Sequence, residues 1–167
     1  MCRHVAGRTL LDIGAAEGWV GRRFAQRDGR EVQLLDVIGL NRTNLPFRLY
    51  DGRHVPFPDN SFDTALLMLT LHHCDDPEQV LREAGRVARR RVVVTESVYR
   101  TPPGRWALWA MDTTVNSWRS RRLMREALHF RTIPQWRTTF QRHGLHLAAE
   151  QWISRGLHRH VLFALDP

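Results

Sequence analysis

The stretch Leu10-Leu-Asp-Ile-Gly-Ala-Ala-Glu-Gly-Trp-Val-Gly21 constrains this chain more than any other. Leu10, Leu11 and Ile13, introduced by Arg8-Thr9, form a short apolar run that stops at Gly14, the pattern of a strand buried on both faces of a parallel sheet. Trp19, Val20 and Phe24 then recur at helical spacing against Arg22, Arg23 and Arg27, and Gly29 supplies a stop. A buried strand that turns through glycines into a helix needs parallel neighbours, joined to it by right-handed crossovers.

The rest of the chain supplies them. Glu31 to Asp36 alternates and then runs apolar, as a second strand. Val37 to Pro46 contains Gly39, Asn41, Asn44 and Pro46 and is too broken for a full helix. Phe47 to Tyr50 reads as a short third strand, and Thr64 to Leu71, launched by the turn residues of Pro56 to Asp63, as a fourth. In the helix predicted from Pro77 to Arg90, Asp76 is placed to cap and Gln79 to complete a box-like start. Its apolar stripe is Val80, Leu81, Ala84, Val87 and Ala88. Arg91 to Glu96 is a β-branched fifth strand. Residues 97–131 mix Trp106, Trp109, Met111, Trp118 and Met124 with Arg119, Arg121, Arg122 and Arg125, and are expected to form two inserted helical pieces. Thr132-Ile-Pro-Gln-Trp136 opens a last helix, with Trp136 and Phe140 inward and Gly144 at its end. Leu145 to Ile153 and Leu157 to Leu165 are expected to close the chain as a hairpin turning near Gly156. The expected class is α/β, a doubly wound and mostly parallel seven-stranded sheet with an antiparallel C-terminal hairpin strand.

A chain of 167 residues with 43% hydrophobic content is long enough for one domain with a real core and short for two, so 1–167 is read as a single domain. No apolar run reaches the roughly 18 residues of a membrane span. Met1 to Gly7 lacks the apolar core of a signal peptide, so a soluble, cytoplasmic protein is expected. Cys2 and Cys74 make no disulfide framework and fit a reducing compartment. The net charge of +8 suggests a polyanion partner, yet all 25 basic residues are arginine. Total exclusion of lysine is better explained by codon bias than by selection at one face, so the charge carries little weight.

A glycine turn between a first strand and its helix presents backbone amides and the positive helix end to a ligand. A phosphate-cradling P-loop needs a lysine after its second glycine, and the chain has none. A dinucleotide fingerprint wants Gly-x-Gly-x-x-Gly, its last glycine allowing close helix–sheet packing. Counted from Gly14, the second place is Ala16 and the third Trp19, which is expected to push the helix off the sheet.

What remains, Asp12-x-Gly14-x-Ala16-x-Gly18, resembles the first motif of the class I S-adenosylmethionine-dependent methyltransferases, with alanine replacing the middle glycine. Small residues there let backbone approach the ligand, and the acid faces its cationic amino-acid end. Asp36 closes strand two, where an acid can accept both ribose hydroxyls. Asp51-Gly52 follows strand three, where the family places an acid that bonds the adenine amino group. From Asp51 to Val87 the chain resembles, almost position for position, the family's stretch from adenine loop through strand four to the next helix. The resemblance spans Leu10 to Glu96 and continues through the last helix and hairpin. It implies a Rossmann-like fold and the small-molecule group that includes the ubiquinone and menaquinone enzymes.

By that resemblance, S-adenosylmethionine is held by Asp12, Gly14, Ala15, Ala16, Gly18, Trp19, Asp36, Val37, Asp51, Gly52, Leu67 and Met68. Trp19 suits helix packing equally well, and the side chains of Leu67 and Met68 suit the core. His73 falls near the methionine end and is the candidate base or orienting group, although a histidine bonding loop backbone also fits. Trp106 and Trp109, with Met111 and Trp118, are candidates to line an apolar acceptor pocket or else to bury the insertion. The arginine run reads more readily as a solvated helix face than as an anion site. No metal site is expected: neighbours in His72-His73-Cys74-Asp75-Asp76 point in different directions, no second ligand pair has proper spacing, and His158 with His160 reads as an exposed edge pair.

Methyl transfer is an in-line displacement at a carbon already activated by sulfonium, so the protein mainly aligns the partners and excludes water. The expected activity is methylation of an oxygen, nitrogen or carbon on a small, apolar or aromatic acceptor. No Asn/Asp-Pro-Pro-aromatic motif follows strand four and no proline precedes Cys74, which weighs against nucleobase methylation. An RNA or other macromolecular acceptor, and a non-catalytic cofactor-binding subunit, are the alternatives. The family usually carries helices before strand one and between strands two and three. Here strand one begins almost at once and Val37 to Pro46 forms no helix, so the adenosine side is expected to be open unless the 97–131 insertion, a homodimer mate or a partner subunit covers it.

Overall fold

The computed structural model describes residues 2–120, 129–155 and 159–167. Arg121, Arg122, Met124, Arg125, Gly156 and His158 lie outside the described residues, as do the side chains of Trp118 and Arg119. Strand β1 (Thr9–Ile13) leads into the glycine turn, followed by α1 (Trp19–Asp28), β2 (Glu31–Asp36), β3 (Phe47–Leu49) and β4 (Phe62–Met68). Then come α2 (Pro77–Val87), β5 (Ala88–Ser97), α3 (Pro102–Ser120), α4 (Ile133–Arg142), β6 (His146–Arg155) and β7 (Arg159–Asp166). The strands form one sheet in the order β3-β2-β1-β4-β5-β7-β6. The first five are parallel, and β7 runs antiparallel between β5 and β6. Strand order reverses between β1 and β4, the switch point at which open α/β sheets bind ligands.

The central strands are covered on both faces, which is why they read as apolar runs rather than alternations. Leu11, Ile13, Leu35, Ala65, Leu67, Val92 and Val94 pack with Val80, Leu81 and Ala84 of α2 and with Trp136 and Phe140 of α4. Leu10, Leu34, Leu66 and Val93 pack in a second cluster with Phe24 of α1 and Leu162 and Ala164 of β7. The segment before β1 completes that second face. Val5 is buried in it, Ala6 N–H donates to Thr64 Oγ1 (3.1 Å), Thr64 Oγ1 donates to Ala6 O (2.7 Å), and Arg3 donates to Gln151 (2.7 Å).

The predicted caps form. Asp76 accepts Gln79 N–H, and Thr132 with Gln135 makes a complete capping box. Several boundaries differ. Strand β4 ends at Met68, not Leu71, because Leu69 adopts a left-handed conformation (φ +58°) that no strand continues. His72 and His73 therefore sit in a single 3-10 turn, Leu71–His73. Helix α2 stops at Val87 instead of running to Arg90, since Ala88 pairs with Phe62 and starts β5. Within 97–131 the described residues form one helix, α3, and the place of a second piece, residues 121–128, lies outside the described residues. No helix among the described residues is long and apolar enough to cross a membrane.

Candidate functional site

The first turn is tied to β2 by its backbone. Gly14 N–H and Ala15 N–H both donate to Leu35 O, at 2.8 and 3.2 Å, and Gly18 N–H closes onto Ala15 O at 2.8 Å. Gly14 has φ +72°, and a Cβ there would lie 2.2 Å from Thr70 Cγ2, so only glycine fits. Asp36 at the tip of β2 completes the tie: Oδ2 accepts Ala16 N–H at 2.7 Å and Oδ1 accepts Ile38 N–H at 3.1 Å.

Beside this turn lies a cleft lined by Gly14, Ala16, Asp36, Val37, Ile38, Tyr50, Gly52, Leu69, Thr70, His73 and Cys74, with ≈ 100 Å³ enclosed and ≈ 600 Å³ counting its open mouth. Ala16 (φ +47°) and Leu69 (φ +58°) are two of the three described non-glycine residues in left-handed backbone. Both sit in the cleft wall, and such strain persists where the surrounding structure holds it for a purpose. Val37 and Leu69 are 46% and 39% exposed and give the cleft an apolar side. The chain has 25 basic residues, yet among the described residues none of the arginines lines this cleft, while Asp36 does. Among the described residues a pyrophosphate would face a carboxylate with no arginine to meet it; a sulfonium nucleoside would face a carboxylate acceptor, backbone and an apolar wall. The donor set fits S-adenosylmethionine.

The other residues expected here are arranged around the cleft rather than in its lining. Asp12 is buried beneath α1, accepts Gly21 N–H at 3.1 Å, and is pushed up to about 7, chiefly by desolvation and further by Asp36, against the lowering effect of that amide. Asp51 is exposed and held well below the usual carboxylate range by the amides of His54 and Arg53 and by the His54 ring. Ala15 and Gly18 shape the turn from behind. Leu67 is fully buried in the core and Met68 packs beside the second cluster, so the residues that reach the cleft are the two that follow β4, Leu69 and Thr70. Trp19 does not wedge α1 from the sheet. It is 47% exposed with Arg22 over its ring, and the close helix–sheet contact falls at Gly21, where a Cβ would lie 2.6 Å from Leu34. Trp106 and Trp109 form an edge-to-face pair, 69% and 39% exposed, outside the cleft. Leu108 and Phe130 are the buried pair of the small cluster at α3, with Tyr99 and Met111 packed against them.

Sequence reasoning missed Ile38, Tyr50, Leu69 and Thr70, which carry no motif; position beside a strand end is the signal they share. It also missed a buried cluster at the C-terminal end of β5. Glu96 there is fully buried, with Oε1 accepting Leu71 N–H at 2.8 Å and Oε2 lying 2.5 Å from His72 Nδ1. Asp112 of α3 approaches both His72 Nε2 and His73 Nε2 at 3.7 Å. Burial alone would lower the His72 imidazole, but Glu96 and Asp112 together hold it above its ordinary value. A larger cavity, ≈ 510 Å³, is lined by Arg105, Arg131 and Arg142 with Glu78 and shares no residue with the cleft. The switch-point position and the turn chemistry make the smaller one the candidate site.

Comparison with known proteins agrees with this geometry. The family model for the methyltransferase domain matches residues 11–94, half of the chain. The chain is 32% identical over 115 residues to the ubiquinone/menaquinone biosynthesis C-methyltransferase UbiE of Hahella chejuensis, across 59% of this chain and 46% of that protein. It thus matches less than half of that relative's length. Among solved structures, an S-adenosylmethionine-dependent methyltransferase from Methanosarcina mazei superposes with a TM-score of 0.73 at 16% identity, covering 99% of this chain and 96% of that one. A Haloferax volcanii methyltransferase, solved in complex with the activator Trm112, gives 0.73 at 18% identity over 96% and 82%. The strand order, the glycine turn with its acid at the tip of β2, and the matched span together establish that this chain belongs to the methyltransferase domain family, in the class I, S-adenosylmethionine-dependent group of the UbiE type.

Proposed function

We propose that this protein transfers the methyl group of S-adenosylmethionine to a small apolar or aromatic acceptor at the cleft beside Gly14 and Asp36. The observation that carries the reading is a lining that bears an acid and, among the described residues, no arginine, in a chain so rich in arginine. The turn at Gly14 and Ala16 lies against the amino-acid end of the cofactor. Each Asp36 oxygen already accepts one amide and keeps a lone pair for a ribose hydroxyl. Val37, Ile38 and Gly52 flank the adenine, with Asp51 at the rim. Asp12, desolvated under the turn, gains a counter-charge when the sulfonium arrives. His73 orients the acceptor, and an apolar acceptor approaching over α3 meets Trp106 and Trp109 first. The small-molecule class is supported by the quinone-pathway relative.

Titration calorimetry of the folded protein tests this. S-adenosylmethionine and its demethylated product are expected to bind and NAD is not; heat with NAD alone, or with none of them, overturns the proposal. The open mouth also leaves room for a second subunit over the cofactor, in the way the Haloferax relative is accompanied by an activator. Light scattering across protein concentration, with and without cofactor, reads that part.

A further inference from the structure

We propose that His72, His73 and Asp112 form a binding site for one divalent transition-metal ion, zinc before the others, at the edge of the cleft. Their ligand atoms all lie within 4.8 Å of one another. The carboxylate of Asp112 stands 3.7 Å from each imidazole Nε2. In a tetrahedral site with bonds of about 2.1 Å, neighbouring ligand atoms are about 3.4 Å apart, so closing on an ion asks these side chains for shifts of up to about an ångström, within reach of small rotations about their side-chain bonds. Two imidazoles and a carboxylate are a donor set that suits zinc, and three protein ligands leave its fourth position open.

Two further features separate this cluster from a chance meeting of polar groups. Glu96 already holds His72 Nδ1 at 2.5 Å and is itself fixed by Leu71 N–H at 2.8 Å. That is the carboxylate–histidine arrangement which orients a metal-bound imidazole and turns Nε2 toward the ion. Burial points the same way: both carboxylates are set back from solvent, Glu96 fully buried and Asp112 23% exposed, and a dication held by the imidazoles would have one of them on either side. Phe130, stacked on His72 at 4.9 Å, shields the site from behind.

His73 belongs to both the cluster and the cleft lining. The ion would stand where an acceptor oxygen, hydroxyl or carbonyl, can take the open position and be polarised. That role rests on the methyltransferase reading; the binding of the ion does not.

The test uses tag-free protein, stripped with a chelator and titrated with zinc by calorimetry, with cobalt(II) absorption as a reporter of geometry. One equivalent is expected to bind with a Kd in the micromolar range or tighter, and cobalt to give an intense four-coordinate visible spectrum. Asp112→Asn and His73→Gln are expected to weaken binding at least 100-fold, and Glu96→Gln 10- to 100-fold, each checked for folding by circular dichroism. No stoichiometric binding by the folded protein overturns the proposal, and so does zinc affinity unchanged in both Asp112→Asn and His73→Gln. Calorimetry with S-adenosylmethionine on the stripped protein is run separately, so failure of the cofactor reading is distinguished from failure of this one.

Discussion

Two neighbouring regions at the C-terminal edge of the parallel strands are built by opposite means. At the tips of β1 and β2 the cleft is made of backbone: amides tied to Leu35, glycines where a side chain would collide, and one carboxylate organising the turn. At the ends of β4 and β5 the cluster is made of side chains, Glu96, His72, His73 and Asp112, gathered from three elements in near-dry surroundings. The first is open and serves a ligand that brings its own reactivity. The second is closed and stores charge, which costs stability unless the charges are matched. A backbone site tolerates little change in residue size, whereas a charge site tolerates little change in partner.

Removing a partner from the second region should give the largest effect. Glu96→Ala strands a buried imidazole and the Leu71 amide, and is expected to lower stability by about 3 kcal/mol in urea denaturation. Cofactor affinity should change far less. Equal stability of variant and parent would remove the distinction between the regions.

Beneath the first region, Asp12 ionises near pH 4 in the unfolded chain and at about 7 when folded. Its contribution is therefore complete below pH 4 and declines as pH rises to 7, by at most about 1.4 kcal/mol per pH unit. Asp12→Asn keeps an acceptor for Gly21 N–H and should flatten that slope; parallel denaturation curves from pH 4 to 7.5 check it. An unaltered slope means that Asp12 is ionised in the fold.

The size intolerance of the turn gives the third expectation. Gly14→Ala forces a left-handed residue against Thr70, and S-adenosylmethionine affinity should fall roughly 100-fold, about 2.7 kcal/mol, in calorimetry on a folded variant. Trp106→Ala, on an exposed face belonging to neither region, should change stability by no more than about 0.5 kcal/mol. A larger loss would show that α3 buries this ring against a partner.

Legibility in the sequence follows the same division. Leu10 to Gly21 announces strand, turn and helix because each step is local: an apolar run, glycines, then an amphipathic repeat. Asp76 and Thr132 announce their helices through hydrogen bonds spanning three residues. The end of β4 was not legible, because nothing in Leu69 marks it for left-handed backbone; its amide is drawn to Thr95 O across the sheet. Trp19 misled in the opposite sense, since its neighbour Gly21, two residues on, takes the close contact and lets the ring turn outward.

The sequence by itself determined the parallel sheet, the turn and the acid at the tip of β2, since periodicity and glycine placement are properties of short windows; the class of ligand followed from the family resemblance that those residues carry. Only the tertiary structure decided which side chains share a site. Asp112 and Glu96 reach His72 from α3 and β5, a proximity created when packing of the helices on the sheet closes long loops, and no spacing rule encodes it.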